Sequence, residues 1–89
     1  MNILSSDSNL EVLSVQIDAM LEHGYGAENL VLLTPLSKRN EVETFKHVHV
    51  DVVPERKRLR YDLTKEEYEE AQQALENGEF VLLTDDPLR

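Results

Sequence analysis

The sequence predicts an α+β domain: a two-layer sandwich, ferredoxin-like or related, with two helices on one face of a mainly antiparallel sheet. Three observations indicate this class. Two segments have apolar residues at helical spacing, each is followed by a short apolar run typical of a strand, and the stretch between them alternates apolar and polar residues. With 89 residues, the chain is expected to form a single domain over residues 1–89.

The first predicted helix covers residues 9–23. Ser8 and Glu11 have the spacing of a capping box, and Gly24 stands where a helix commonly ends in a left-handed conformation. Its apolar stripe consists of Leu10, Leu13, Ile17, Met20 and Leu21. The sequence leaves open whether residues 2–4 form a strand before this helix.

The second predicted helix begins after Thr64, with Glu67 completing the capping box and Gly78 ending the helix. Leu63 is placed to pack against Tyr68 across the start of the helix. The buried stripe is predicted to be Tyr68, Ala71, Ala74 and Leu75. The other face carries Glu66, Glu69, Glu70 and Glu76, which is typical of a solvated surface.

A short repeat follows the helices. The tetrapeptide Val-Leu-Leu-Thr occurs at residues 31–34 and again at 81–84, each time after a helix whose sequence ends Leu-Glu-(His or Asn)-Gly. Continuous apolar runs of this length indicate strands that are buried on at least one face. We therefore expect two similar helix-to-strand units related by pseudo-symmetry.

Residues 44–63 alternate with the period of a strand and predict a β-hairpin, with a turn over residues 54–57. In the predicted register Val48 lies opposite Leu63 and Val50 opposite Tyr61, so the apolar pairs share one face. On the other face Asp51 is opposite Arg60, and His49 is opposite Asp62.

Composition limits the classes of function. The net charge of −9 and the pI near 4.6 disfavour a general nucleic-acid or anionic-membrane surface. The chain has no cysteine, which excludes disulfides and thiolate-bound metals, and its apolar runs are too short for a membrane span. We expect a cytoplasmic protein without a cofactor.

Parts of the sequence resemble a known family. The first helix, Gly24-Tyr25, the run Asn29-Leu30-Val31-Leu32-Leu33, and later Leu63-Thr64, Tyr68 and Gly78 before an apolar strand are similar to the heat-induced stress protein YflT-like domain of bacteria. The resemblance covers the two helix–strand units, about half of the chain, and the His-Val-His strand departs from it. It implies a small bacterial stress-associated protein without an established enzymatic role, and it supplies no catalytic residue.

His47, His49 and Asp51 are the candidate metal ligands. Residues two apart on a strand share a face, and imidazole with carboxylate suits zinc, nickel or copper. The alternative is ordinary cross-strand pairing of His49 with Asp62 and of Asp51 with Arg60.

The second candidate site is a basic cluster, which comprises Arg56, Lys57, Arg58 and Arg60. It is suited to an acidic protein surface more than to nucleic acid, because no aromatic residues for base stacking are interleaved with the arginines. The alternative is a charged edge that prevents strand-to-strand aggregation.

No residue has the setting of a catalytic nucleophile or general base, since glycine-bounded nucleophile turns and phosphate-binding loops are absent from the sequence. We therefore expect a non-enzymatic protein-interaction or regulatory module whose partner is another protein or a second copy, because a two-layer sandwich leaves one sheet face open for dimerisation. The alternative function is metal or ligand binding by the His47/His49 strand.

Overall fold

A computed structural model describes residues 1–45, 48–53 and 61–85. Within these ranges the chain forms β1 (Asn2–Asp7), α1 (Leu10–Glu22), β2 (Leu30–Pro35), β3 (His49–Val53), α2 (Lys65–Glu76) and β4 (Phe80–Thr84). Short 3₁₀ helices at Ala27–Asn29 and Leu36–Val42 flank β2. The chain therefore does begin with a strand, which is twice as long as the three residues that suggested it.

Helix α1 forms where the apolar spacing predicts it, but its cap lies one residue later than expected. The side-chain oxygen of Asn9, rather than Ser8, accepts a hydrogen bond from the Glu11 backbone N–H at 2.9 Å. Asp7 Oδ1 in turn accepts from the Asn9 N–H at 2.8 Å. Aspartate, serine and asparagine all cap helices well, so three adjacent candidates leave the capping residue undetermined by sequence alone. Gly24 adopts the predicted left-handed conformation, with φ of +94°.

Helix α2 confirms the prediction made from its capping box. Thr64 Oγ1 accepts from the Glu67 N–H at 3.1 Å and its hydroxyl donates to Glu67 Oε1 at 3.2 Å. Ala71 and Ala74 are buried, and Gly78 ends the helix with φ of +81°. The local signals in this segment were sufficient to place the helix.

The four strands form one sheet in the order β1-β4-β2-β3. Strand β4 is antiparallel to both β1 and β2, whereas β2 and β3 are parallel. The predicted α+β class and mainly antiparallel sheet are confirmed. The two Val-Leu-Leu-Thr repeats lie side by side at the centre, with Leu32 opposite Leu82. A local two-fold axis through this pair relates the two repeats.

The placement of the helices differs from the expected two-layer arrangement. One core cluster joins Leu13 and Ile17 of α1 to Leu30, Leu32, Phe80 and Leu82. A second cluster joins Ala71 and Ala74 of α2 to Val31, Leu33, Val81 and Leu83. The helices thus lie on opposite faces of the sheet and the domain has three layers. The strands themselves explain this, because consecutive apolar residues point to both faces and both faces therefore need cover.

The predicted hairpin is wrong for residues 48–53 and 61–63, which the structure describes. Strand β3 pairs with β2 in parallel, with His49 opposite Val31, while Tyr61 and Leu63 are not in a strand. These two side chains instead pack, partly buried, on the α2 cluster. Residues 36–48 are long enough for the crossover that a parallel pair requires. The predicted turn at 54–57 lies outside the described residues.

Candidate functional site

Strand β3 places His49 and Asp51 on the same face of the sheet, as the period of two predicts. They stand opposite Val31 and Leu33, whose side chains belong to the α2 cluster. Helix α2 packs chiefly on β1, β4 and β2, so these two polar residues lie at the outer margin of its face. His49 is exposed and Asp51 is half-buried.

Asp51 is engaged by a residue that the predicted register had placed elsewhere. The Tyr61 hydroxyl donates a hydrogen bond to Asp51 Oδ2 at 2.8 Å. Partial burial, followed by the hydrogen bond to Asp51 and the charge of Asp51, raises the pKa of Tyr61 to about 12. The predicted partner, Arg60, lies outside the described residues. Asp51 is therefore bonded to Tyr61, the residue that follows the predicted partner Arg60 in the sequence.

The predicted pairing of His49 with Asp62 does not occur, because Asp62 is not part of a strand. The Asp62 backbone carbonyl accepts a hydrogen bond from the Met1 nitrogen at 2.8 Å, at the other end of the sheet. His49 has Val31 as its cross-strand neighbour.

The metal hypothesis can be compared with the structure for two of its three residues. His47 lies outside the described residues, while His49 and Asp51 share a face of β3. Among the residues that the structure describes, no three histidine, aspartate or glutamate side chains are grouped as metal ligands. The triad of His47, His49 and Asp51 therefore stays a prediction. The basic cluster (Arg56, Lys57, Arg58 and Arg60) also lies outside the described residues and stays a prediction.

The two outer strands of the sheet differ in how their edges are protected. In β1 the register shifts between Ile3 and Ser5, and the Ile3 N–H donates to Glu67 Oε2 at 3.1 Å. A bulge of this kind and a side-chain cap are common means of blocking an edge. Hydrogen bonding to Ile3, followed by bonds from Thr64, lowers the pKa of Glu67 and keeps it charged.

We call the side of β3 that faces away from β2 the β3 edge. In the described part of the chain, the backbone of β3 hydrogen-bonds only to β2. Alternate N–H and C=O groups of a parallel strand point away from its neighbour. The side chains next to this edge are of two kinds: Val50 and Val52 are half-buried against the α1 cluster, while His49 and Asp51 lie on the opposite face. The β3 edge is thus the candidate site.

Neither helix in the ranges that the structure describes is long and apolar enough to cross a membrane. No family model matches the chain, and no curated protein or solved structure gives a match.

Proposed function

We propose that the chain is a non-enzymatic module that binds other proteins, and that a partner strand adds to the β3 edge. The observation that supports this proposal most directly is the difference between the two edges of the sheet. The β1 edge has a bulge and a Glu67 carboxylate bonded to it, whereas the described residues leave the β3 edge without either. A row of unpaired backbone donors and acceptors is a template for an incoming strand, and several peptide-binding domains use it in this way.

The side chains beside the β3 edge favour a particular kind of strand. Val50 and Val52 offer half-buried apolar surface on one face of the sheet. Asp51 supplies a carboxylate on the other face. Opposite charges and apolar pairs are the favourable neighbours across strands, so the best partner alternates apolar residues with lysine or arginine. The net charge of −9 favours the same cationic partner over nucleic acid.

The basic cluster belongs to the same proposal. In sequence it falls between Val53, the last residue of β3, and Tyr61, which is bonded to Asp51. Its proximity in sequence favours a role in choosing among partners, by attracting acidic groups that flank the bound strand. The proposal also includes a cytoplasmic location, a homodimer and a bacterial, stress-associated role.

Metal or ligand binding has weaker support as an alternative. Only His49 and Asp51 of its three residues lie in the described part of the chain, and Asp51 already accepts a hydrogen bond from Tyr61.

Amide exchange measured by NMR tests the proposal. In the free protein, alternate amides of His49–Val53 should exchange much faster than those of β2. A short peptide that alternates valine with lysine should protect these amides on binding. The same peptide N-methylated at every residue has no backbone N–H to donate from either edge and should not bind. Equal binding of the two peptides, or full protection of β3 in the free protein, would contradict the proposal.

Charge reversal at Asp51 tests the partner's chemistry. Asp51→Lys should weaken the valine–lysine peptide by about tenfold and favour a valine–glutamate peptide. Tyr61→Phe is the matched control, because it removes the hydrogen bond to Asp51 while keeping the carboxylate. Analytical ultracentrifugation of the free protein then tells whether the strand can come from a second copy.

A further inference from the structure

The two helices differ in the residues they expose. Every exposed residue of α2 is polar or charged; these are Lys65, Glu66, Glu69, Glu70, Gln73 and Glu76. The exposed residues of α1 include Val15, which is 66% exposed, Val12, which is 49% exposed, and Ala19. Both helices cover the sheet with their other side, so the contrast lies in their outer faces alone.

The exposed apolar residues of α1 form a stripe along the helix axis. At about 100° per residue, Val12, Val15 and Ala19 fall within roughly 60° of one another. They lie on the side opposite Leu13 and Ile17, the two fully buried residues of the helix. We call these three residues the α1 stripe. Their spacing of three and four residues is that of a helix–helix seam.

Acidic residues accompany the α1 stripe on one side. Glu11, Asp18 and Glu22 fall within roughly 40° of one another and immediately beside Val15. We call them the acidic flank. No lysine or arginine occurs anywhere in residues 1–37. The outer face of α1 is therefore an apolar seam bordered by negative charge.

Valine is a poor choice for an exposed helix position, because its branched side chain loses rotamer freedom against the preceding turn. Among the residues that the structure describes, Val12 stays 49% and Val15 66% exposed, so burial offsets little of this cost. Helix α2 shows that this same chain uses glutamate and glutamine, which form helices better, at its outward positions. Departures from local preference of this kind are expected where a surface has a function.

We infer that the outer face of α1 docks a cationic amphipathic helix of a partner protein. The apolar stripe of the partner would pack on Val12, Val15 and Ala19, whose small side chains allow close approach. Lysine or arginine on one side of that stripe would face the acidic flank. The inference rests on the proposed role as an interaction module but uses a surface separate from the β3 edge.

Charge disfavours the other occupants of this surface. A second copy of α1 would bring two acidic flanks into one interface, and α1 itself contains no lysine or arginine. An anionic membrane surface would repel the same carboxylates. A cationic amphipathic helix is the partner that matches both the α1 stripe and the acidic flank.

A titration of isotope-labelled protein with a model peptide tests the inference by NMR. The probe is a helical peptide with leucines at helical spacing and lysines along one flank; the control is a peptide of the same composition in scrambled order. Saturable shifts should centre on residues 12, 15 and 19, with β3 amides unchanged. Equal binding of the scrambled peptide would overturn the inference. The β3 edge is tested separately with the extended valine–lysine peptide, so failure at α1 is distinguishable from failure at the β3 edge.

Paired variants locate the binding surface. Val12→Gln with Val15→Gln should weaken the probe at least about tenfold, because two buried apolar contacts are lost. Glu69→Gln with Glu70→Gln removes charge from the outer face of α2 and should leave binding within about twofold. Unchanged affinity in the valine variant would refute the assignment. Both pairs are at exposed positions, and far-UV circular dichroism checks their folding.

The variant Val12→Gln with Val15→Gln also distinguishes a partner helix from the two other possible occupants of α1, a second copy and a membrane. Self-association of the native protein that the valine variant abolishes would show that a second copy occupies α1, and would overturn the inference. Binding to zwitterionic lipid vesicles that is lost in the valine variant would overturn it in favour of a membrane surface. The inference predicts neither result.

Discussion

Replacing Thr34 by valine should stabilise the protein, although Thr84→Val at the equivalent position of the repeat should destabilise it. Both side chains are fully buried, near the ends of the two inner strands of the sheet. Within the described residues the Thr34 hydroxyl has no hydrogen-bond partner, whereas Thr84 does take part in an interaction. The two positions share one sequence, Val-Leu-Leu-Thr, and adjacent strands, so each variant is the control for the other.

The expected magnitude follows from the cost of a buried hydroxyl that lacks a partner, about 1–3 kcal/mol. Valine has nearly the shape of threonine, so the substitution opens no cavity and also suits a strand. Thr34→Val should therefore raise the free energy of unfolding by about 1 kcal/mol or more. For a domain of this size, 1 kcal/mol corresponds to about 4–8 °C in Tm. Thr84→Val should lower the free energy of unfolding by about 1 kcal/mol, because its partner is left unpaired.

Urea unfolding followed by far-UV circular dichroism measures both changes in the same buffer. Opposite signs for the two variants, with unchanged m-values, are the expected result. Equal destabilisation would refute the reasoning, since it would show that the Thr34 hydroxyl bonds to a group outside the described residues.

Two further predictions concern pH. Tyr61→Phe should lower the free energy of unfolding by about 1 kcal/mol. The rise in the pKa of Tyr61 from 10.0 to about 12 corresponds to about 2.7 kcal/mol in full, and solvent screening at this half-exposed pair reduces that value. Because the raised pKa stabilises the protonated form, this difference should be present below pH 10 and fade as the pH rises towards 12. Glu67→Gln should lose stability relative to the native protein above pH 4.5, because the lowered pKa reflects a carboxylate held by Ile3. That difference should shrink as the pH falls through the lowered pKa; a Tm gap that persists in acid would contradict it.

The helices could be predicted because their signals are local. Thr64 with Glu67, and the glycines at 24 and 78, act within a few residues of the backbone groups they satisfy. The error at Ser8 is also local, since Asn9 next to it caps equally well. The period of β3 likewise sufficed to place His49 and Asp51 on one face.

The partner of β3 could not be predicted, because pairing is decided by distant residues. The valines of β3 fit an antiparallel hairpin or the parallel edge of β2 equally well on period alone. Tyr61 was assigned to Val50 by the hairpin register, and its hydrogen bond to Asp51 was missed for that reason. The sequence contains no separate signal for this contact.

The two similar helix-to-strand segments of the sequence fold into an arrangement that is not symmetric, because their helices lie on opposite faces of the sheet. A two-fold axis through Leu32 and Leu82 does not exchange the faces of the sheet, so it would put both helices on one face. The connections differ, however: Gly24 precedes Val31 by seven residues and Gly78 precedes Val81 by three. The longer connection includes the 3₁₀ helix Ala27–Asn29, and α1 reaches the face opposite α2.

This asymmetry changes where the protein can meet a partner. A two-layer sandwich would have left one whole face of the sheet open, which was the reason to expect a dimer. With a helix on each face, β2 and β4 are buried on both sides throughout their length. That route to dimerisation therefore no longer follows from the fold. Unpartnered surface remains in the described part of the chain at the β3 edge and at the α1 stripe, so binding tests belong at those two places.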